Sequence, residues 1–249
     1  MPKRLGIIQT RGIGDIIMAL PIADFYIEQG WEVFWPIDES FVEMFRRAKP
    51  SIDFLPVSRP EPPDYNYFLN QPVKMLSELA CDKTVVLYSY LGGLNVADPR
   101  LAGSLKFDEY KYAIAGVPFE RKWQLKYERD IGREEALFER LNISGDYVCI
   151  HDQSTEMAAP VEISPELTRG LQIVHIEPLT DSVFDWRLTI ERAAKLIMVN
   201  SCFANLVEQL NLENEKDLFL YSPVAFTPVF ANNWRFIFPK NVSYASHAE

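Results

Sequence analysis

The sequence predicts an α/β protein made of two Rossmann-like domains, and three observations carry that prediction. Short apolar runs alternate with segments of helical periodicity along most of the chain, the pattern of βαβ units around a parallel sheet. The alternation runs twice, over residues 1–117 and again over 132–249, with 118–131 as connector. A chain of 249 residues is long enough to give each half its own core.

In the first half, Arg4 to Thr10 reads as a buried strand, followed by a helix from Ile16 to Gln29 that Gly30 stops. EVFWPI (32–37) is the next strand, a helix covers 40–48, and 53–57 and 84–90 supply further strands. The segment SRPEPPDYNYFLNQP, with Pro60, Pro62, Pro63 and Pro72, reads as a surface loop. A helix over 106–115 ends at Gly116 and Pro118. In the second half a helix at 132–142 precedes the strands YVCIHDQ and LQIVHIEP, then LTIERAA as helix, KLIMVN as strand and SCFANLVEQLNL as helix. LFLYS and RFIFP read as late strands at the sheet edge, and the tail after Pro239 as loosely held.

Composition narrows the function classes. With 48% hydrophobic and 24% charged residues the chain is of ordinary globular type. It contains no apolar stretch of membrane-spanning length and no signal-peptide core near Met1, so a cytoplasmic protein is expected. The net charge of −10 disfavours a surface built for phosphate backbones. Lys106, Lys111, Arg121, Lys122, Lys126 and Arg129 cluster mid-chain, and solvated helix faces explain them better than a basic groove does. Cys81, Cys149 and Cys202 and the three histidines are scattered, which signals neither zinc nor a disulfide framework.

The stretch TRGIGDIIMALP (10–21) sits where a strand gives way to a helix. Arg11, Gly12 and Gly14 form a turn that lets a ligand approach the backbone. It lacks the third glycine of a dinucleotide fingerprint and the Gly-Lys-Ser/Thr of a phosphate loop. Asp15 would repel a phosphate, so it either caps the helix or acts as a base. In the second half Ser201 is a good N-cap whose hydroxyl, with the N–H groups of Cys202 and Phe203, suits a pyrophosphate. Asn205 lies one turn further on. Ser154 and Thr155 in HDQSTEMAAP suit either a phosphate loop or an ordinary turn, and Glu177 of HIEP reads first as an exposed acid at a strand end and second as a contact for a base or ribose.

Together these pieces resemble the heptosyltransferase-type family of GT-B glycosyltransferases. RGIGDIIMALP matches that family's first turn at Gly14, Asp15, Ile16, Ile17 and Pro21. IERAAKLIMVNSCFANL follows its late motif at Ile190, Ala193, Leu196, Ile197, Ser201 and Leu206, and KFDEYKYAIAGVPFE is similar to its middle segment. Asn200, Cys202 and Asn205 stand where the family has Asp, Gly and His, and the 151–160 loop lacks the family's Lys. The resemblance implies two lobes facing across a cleft, with the acceptor mainly on the N-terminal lobe and a nucleotide-sugar donor on the C-terminal one. It also implies inverting transfer without metal or cofactor, with Asp15 as general base. The acceptor it implies is a glycan or lipid-linked saccharide. Two alternatives stand beside it: a transferase acting on hydroxylated bases of phage DNA, which the acidic balance disfavours and the basic and aromatic stretch EYKYAIAGVPFERKWQLKYER leaves open, and a non-catalytic nucleotide-sugar or glycan-binding module.

Overall fold

The computed structural model describes residues 2–89, 98–154, 157, 159–220 and 227–238. The chain divides into two compact units, Met1–Glu128 and Arg129–Glu249. Residues 118–128, expected within the connector, belong to the first unit, where Phe119 packs edge-on against Tyr112.

The first unit is built on β1 (Arg4–Ile8), β2 (Glu32–Asp38), β3 (Asp53–Val57) and β4 (Lys83–Val86), all parallel and in the order β3-β2-β1-β4. Its helices are α1 (Ile13–Ile27), α2 (Val42–Ala48), α3 (Gln71–Glu78), α4 (Pro99–Ala102) and α5 (Phe107–Ala115). Gly6 in β1 is a packing requirement, because a Cβ there would stand 2.6 Å from Leu76 Cδ1 of α3. The α5 helix is seated on α1 through Tyr112, whose hydroxyl donates to the Met18 carbonyl at 2.9 Å. Gly116, at φ 71°, closes α5 in the left-handed conformation that favours glycine.

Two expectations are corrected here. The proline-rich segment is not all surface loop: Asn66–Asn70 form a helical turn that buries Tyr67 and Leu69 and runs directly into α3. The prolines fall before and after that turn, where none removes an N–H it needs. The strand expected over 84–90 ends at Val86, and Tyr90 lies outside the described residues.

The second unit begins with α6 (Ile131–Arg140) and continues through β5 (Tyr147–His151), β6 (Gln172–His175), α7 (Arg187–Arg192), β7 (Lys195–Val199), α8 (Cys202–Leu210), β8 (Glu215–Phe219) and β9 (Trp234–Ile237). Among the described residues its five strands are parallel in the order β6-β5-β7-β8-β9. One face of the sheet packs Trp186, Ile190, Leu196, Phe203 and Trp234 into its main core. The expected edge position of LFLYS is corrected, since β8 has a neighbour on each side. Its charged start was the reason the strand read as later and shorter. Asp217 is fully buried, and Lys195 at 3.0 Å and Arg235 at 2.6 Å neutralise it from the two adjacent strands. The tail after Pro239 lies outside the described residues.

In both units the strand order reverses direction at one place, between β1 and β4 and between β5 and β7. Open parallel sheets bind ligands outside the carboxyl ends of the strands at such a point. Among the described residues no helix is long and apolar enough to cross a membrane.

Candidate functional site

The reversal in the first unit places the TRGIGD turn at the end of β1 beside the end of β4. The chain leaves β1 through Gln9 and Thr10, both buried. Tyr88, two residues past β4, accepts the Thr10 N–H at 2.8 Å and the Arg11 N–H at 3.3 Å, and pairs with the Thr10 hydroxyl at 2.6 Å. With two N–H groups pointing at its oxygen, the phenol gives its proton to Thr10. Burial pushes the Tyr88 hydroxyl up to about 12, against the lowering effect of its bonds to Thr10 and Arg11. It therefore stays protonated and pins the turn.

Gly12 is the N-cap of α1, at φ 85° and ψ 98°, so the helix start receives no side-chain cap. Asp15 is the third helical residue. Of the two readings of its carboxylate, capping does not describe what it does. Asp15 Oδ1 instead meets Lys111 Nζ of α5 at 3.0 Å, and Oδ2 stands over Gly12, where a Cβ would approach it to 2.5 Å. The Asp15 side chain is 36% exposed, whereas that of Lys111 is 3% exposed. The buried ammonium also donates to Gln9 Oε1 at 2.6 Å and to the Leu87 carbonyl at 3.3 Å. Gln9 Nε2 in turn donates to the Arg11 carbonyl at 2.8 Å, which ties the turn to the same lysine. Arg11 is exposed, and Gly14 is an ordinary helical residue in the first turn of α1.

Lys111 is the residue that sequence reasoning missed. Of the six mid-chain cations, Lys126 stands on a solvated face as expected, its side chain 67% exposed, whereas Lys111 and Lys122 are buried, at 3% and 0%. Lys122 is fully buried against Asp108 at 2.7 Å; Arg121 and Lys126 both pair with Glu28; Arg129 pairs with Glu134 and Glu191. Charges engaged this way are poorly disposed to neutralise a phosphate backbone. The available signal was a lysine set between two buried tyrosines, Tyr110 and Tyr112, on the same helix.

The reversal in the second unit brings the last residue of β5 to the start of α8. His151 Nδ1 lies 2.9 Å from Ser201 Oγ, and its ring packs on Phe203 with centroids 4.8 Å apart. Ser201 Oγ also accepts the Ala204 N–H at 3.4 Å, so one hydroxyl joins the imidazole ring to the first turn of α8. Burial lowers the His151 pKa to about 4, against the raising influence of Asp152. Ser201 is thus the N-cap expected, while His151 beside it had not been singled out.

The other residues expected on this side are less closely grouped. Burial raises the Cys202 thiol to about 11, so it is a protonated first-turn residue and no nucleophile. Asn205 is 4% exposed and its amide donates to the Ser201 carbonyl at 2.9 Å, which secures the cap from within the helix. Ser154 lies half-buried three residues beyond His151, and Glu177 is exposed past the end of β6. Thr155 lies outside the described residues.

No family model and no curated protein matches the sequence. Solved structures do match its fold. A glycosyl transferase family 9 protein from Veillonella parvula superposes with a TM-score of 0.61 over 95% of this chain and 86% of its own, at 12% identity. E. coli heptosyltransferase WaaC with ADP does so at 0.54, over 94% and 93%, at 12% identity. The dodecameric iron-containing heptosyltransferase TibC, an E. coli protein, in complex with ADP-D-beta-D-heptose matches at 0.57 over 98% of this chain and 64% of its own, at 15% identity. The fold is that of the family the sequence motifs resemble.

Proposed function

We propose that the protein is a glycosyltransferase that moves a sugar from a nucleoside-diphosphate sugar to an acceptor hydroxyl with inversion, and that Asp15 is its general base. The acceptor oxygen attacks the anomeric carbon while its proton passes to Asp15, and the bond from that carbon to the diphosphate breaks with its electron pair leaving on the phosphate. The proposal requires no metal or cofactor. The donor is assigned to the second unit, where the Ser201 hydroxyl and the first N–H groups of α8, with the His151 ring beside them, are suited to the departing diphosphate. The acceptor, a glycan or lipid-linked saccharide, is assigned to the first unit, and the site of action to the cytoplasm.

The observation that carries the reading is the Asp15 carboxylate at the strand-order reversal of the first unit, partly exposed, with one oxygen held by Lys111 and the other over a glycine. Asp15→Asn is expected to keep nucleotide binding, followed by thermal shift across UDP, GDP, ADP, CMP and their sugars, while transfer falls about 10²-fold. Unchanged turnover removes Asp15 from the mechanism. Stabilisation by a nucleotide sugar without any product identifies a binding module instead.

A further inference from the structure

A half-exposed carboxylate on the first turn of a helix is free to rotate, and a base whose position varies loses most of its value. The first unit supplies a restraint. Lys111 is 97% withdrawn from solvent, being 3% exposed, and its ammonium touches three oxygens: Gln9 Oε1 at 2.6 Å, Asp15 Oδ1 at 3.0 Å and the Leu87 carbonyl at 3.3 Å. Two of these are neutral groups fixed by the sheet. Gln9 is buried at the end of β1 and holds the Arg11 carbonyl, and Leu87 follows β4 directly, its N–H bonded to the Ile8 carbonyl at 3.0 Å. The third is the carboxylate. Lysine in this position therefore does more than balance a charge, because a buried ammonium needs all its protons placed.

We propose that Lys111 is a positioning residue for sugar transfer, clamping Asp15 Oδ1 so that Oδ2 is the oxygen that receives the acceptor proton. The proposal rests on Asp15 being the base. Its logic is geometric: Nζ ties Oδ1 to the ends of two adjacent strands, and Gly12 leaves the space that Oδ2 occupies. The transferred proton ends on Oδ2, the new bond joins the acceptor oxygen to the anomeric carbon, and the nucleoside diphosphate leaves with the electron pair of the bond that breaks. Lys111 keeps its own proton throughout.

The test follows release of nucleoside diphosphate from UDP-glucose, GDP-mannose and ADP-heptose by the full chain, with water as acceptor. Lys111→Met is expected to lower kcat 10-fold or more with donor KM within twofold of wild type, since the donor is assigned to the other unit. Lys111→Gln, which keeps a polar donor at this position without the charge, covers the case in which the methionine variant fails to fold. Lys111→Arg is expected to restore part of kcat. In an Asp15→Asn background Lys111→Met should remove nothing further, because the group it positions is gone. A wild-type kcat in a folded Lys111→Met or Lys111→Gln chain overturns the proposal while leaving Asp15 to be judged by its own variant. So does an equal loss with and without Asp15, which marks a structural role. Full turnover by Asp15→Asn overturns the base itself, and a wild-type chain that releases no diphosphate from any of the three donors overturns both.

Discussion

His151 offers a direct measurement of what the second unit does. Its pKa is lowered from the usual 6.5 to about 4 because the imidazole is buried against Phe203 and Ser201, with Asp152 opposing the shift. The unfolded chain therefore takes up the proton first as the pH falls. The associated stability is complete above about pH 6.5 and is lost progressively as the pH drops toward 4. At about 1.4 kcal/mol per tenfold change in proton affinity, the full loss is about 3 kcal/mol, of which about 2 has gone by pH 5. Urea unfolding of the second unit at pH 7 and pH 5 should show that loss in the wild type and not in His151→Gln. The same ring can be followed by NMR as one of three histidines. If a diphosphate binds beside it, the added negative charge stabilises imidazolium by one to several kcal/mol at a partly buried site, so ADP should raise the midpoint by about one pH unit or more. A midpoint near 6.5 without ligand refutes the burial argument. An unaltered midpoint in a nucleotide-saturated protein refutes placement of the diphosphate at His151 and Ser201.

Two further outcomes follow from the first unit. Gly12→Ala puts a side chain on a backbone at φ 85° and a Cβ 2.5 Å from Asp15 Oδ2; it should cost about 1 to 2 kcal/mol in urea unfolding and lower turnover more than that loss explains, because Asp15 must swing away. Unchanged turnover would show that the orientation of Asp15 is immaterial. Lys122→Met removes the ammonium that meets the fully buried Asp108 carboxylate at 2.7 Å and should destabilise the unit by about 3 to 5 kcal/mol, whereas Asp108→Leu with Lys122→Met should recover much of it. Equal stability of the single and double variants would contradict the pairing argument.

Much of the fold was legible because buried parallel strands announce themselves. RLGII, KLIMV and YVCIH are apolar on both faces, and each gives way to a recognisable helix start or turn. The misread segments are those where burial and polarity part company. EKDLF forms an internal strand only because Lys195 and Arg235 neutralise Asp217 from adjacent strands, and a linear pattern cannot show that partnership. The helical turn at Asn66–Asn70 hides among prolines for a related reason. Its stability comes from Tyr67, which is buried and donates to Asp38 Oδ2 at 2.6 Å, a residue far back in the chain.

The candidate sites divide in the same way. Gly12, Asp15 and Ser201 were readable from the sequence alone, because a glycine before a helix, an acid in its first turn and a hydroxyl at its cap are local signals spaced by a few residues. Lys111 and His151 were not, although each touches one of them. Lys111 reaches Asp15 across 96 positions of sequence, and His151 reaches Ser201 across 50. The sequence by itself determined which turns carry chemistry-bearing groups. Only the tertiary structure decided which groups face them, because the order of strands in each sheet, set by packing along the whole unit, brings those distant residues to the same strand ends.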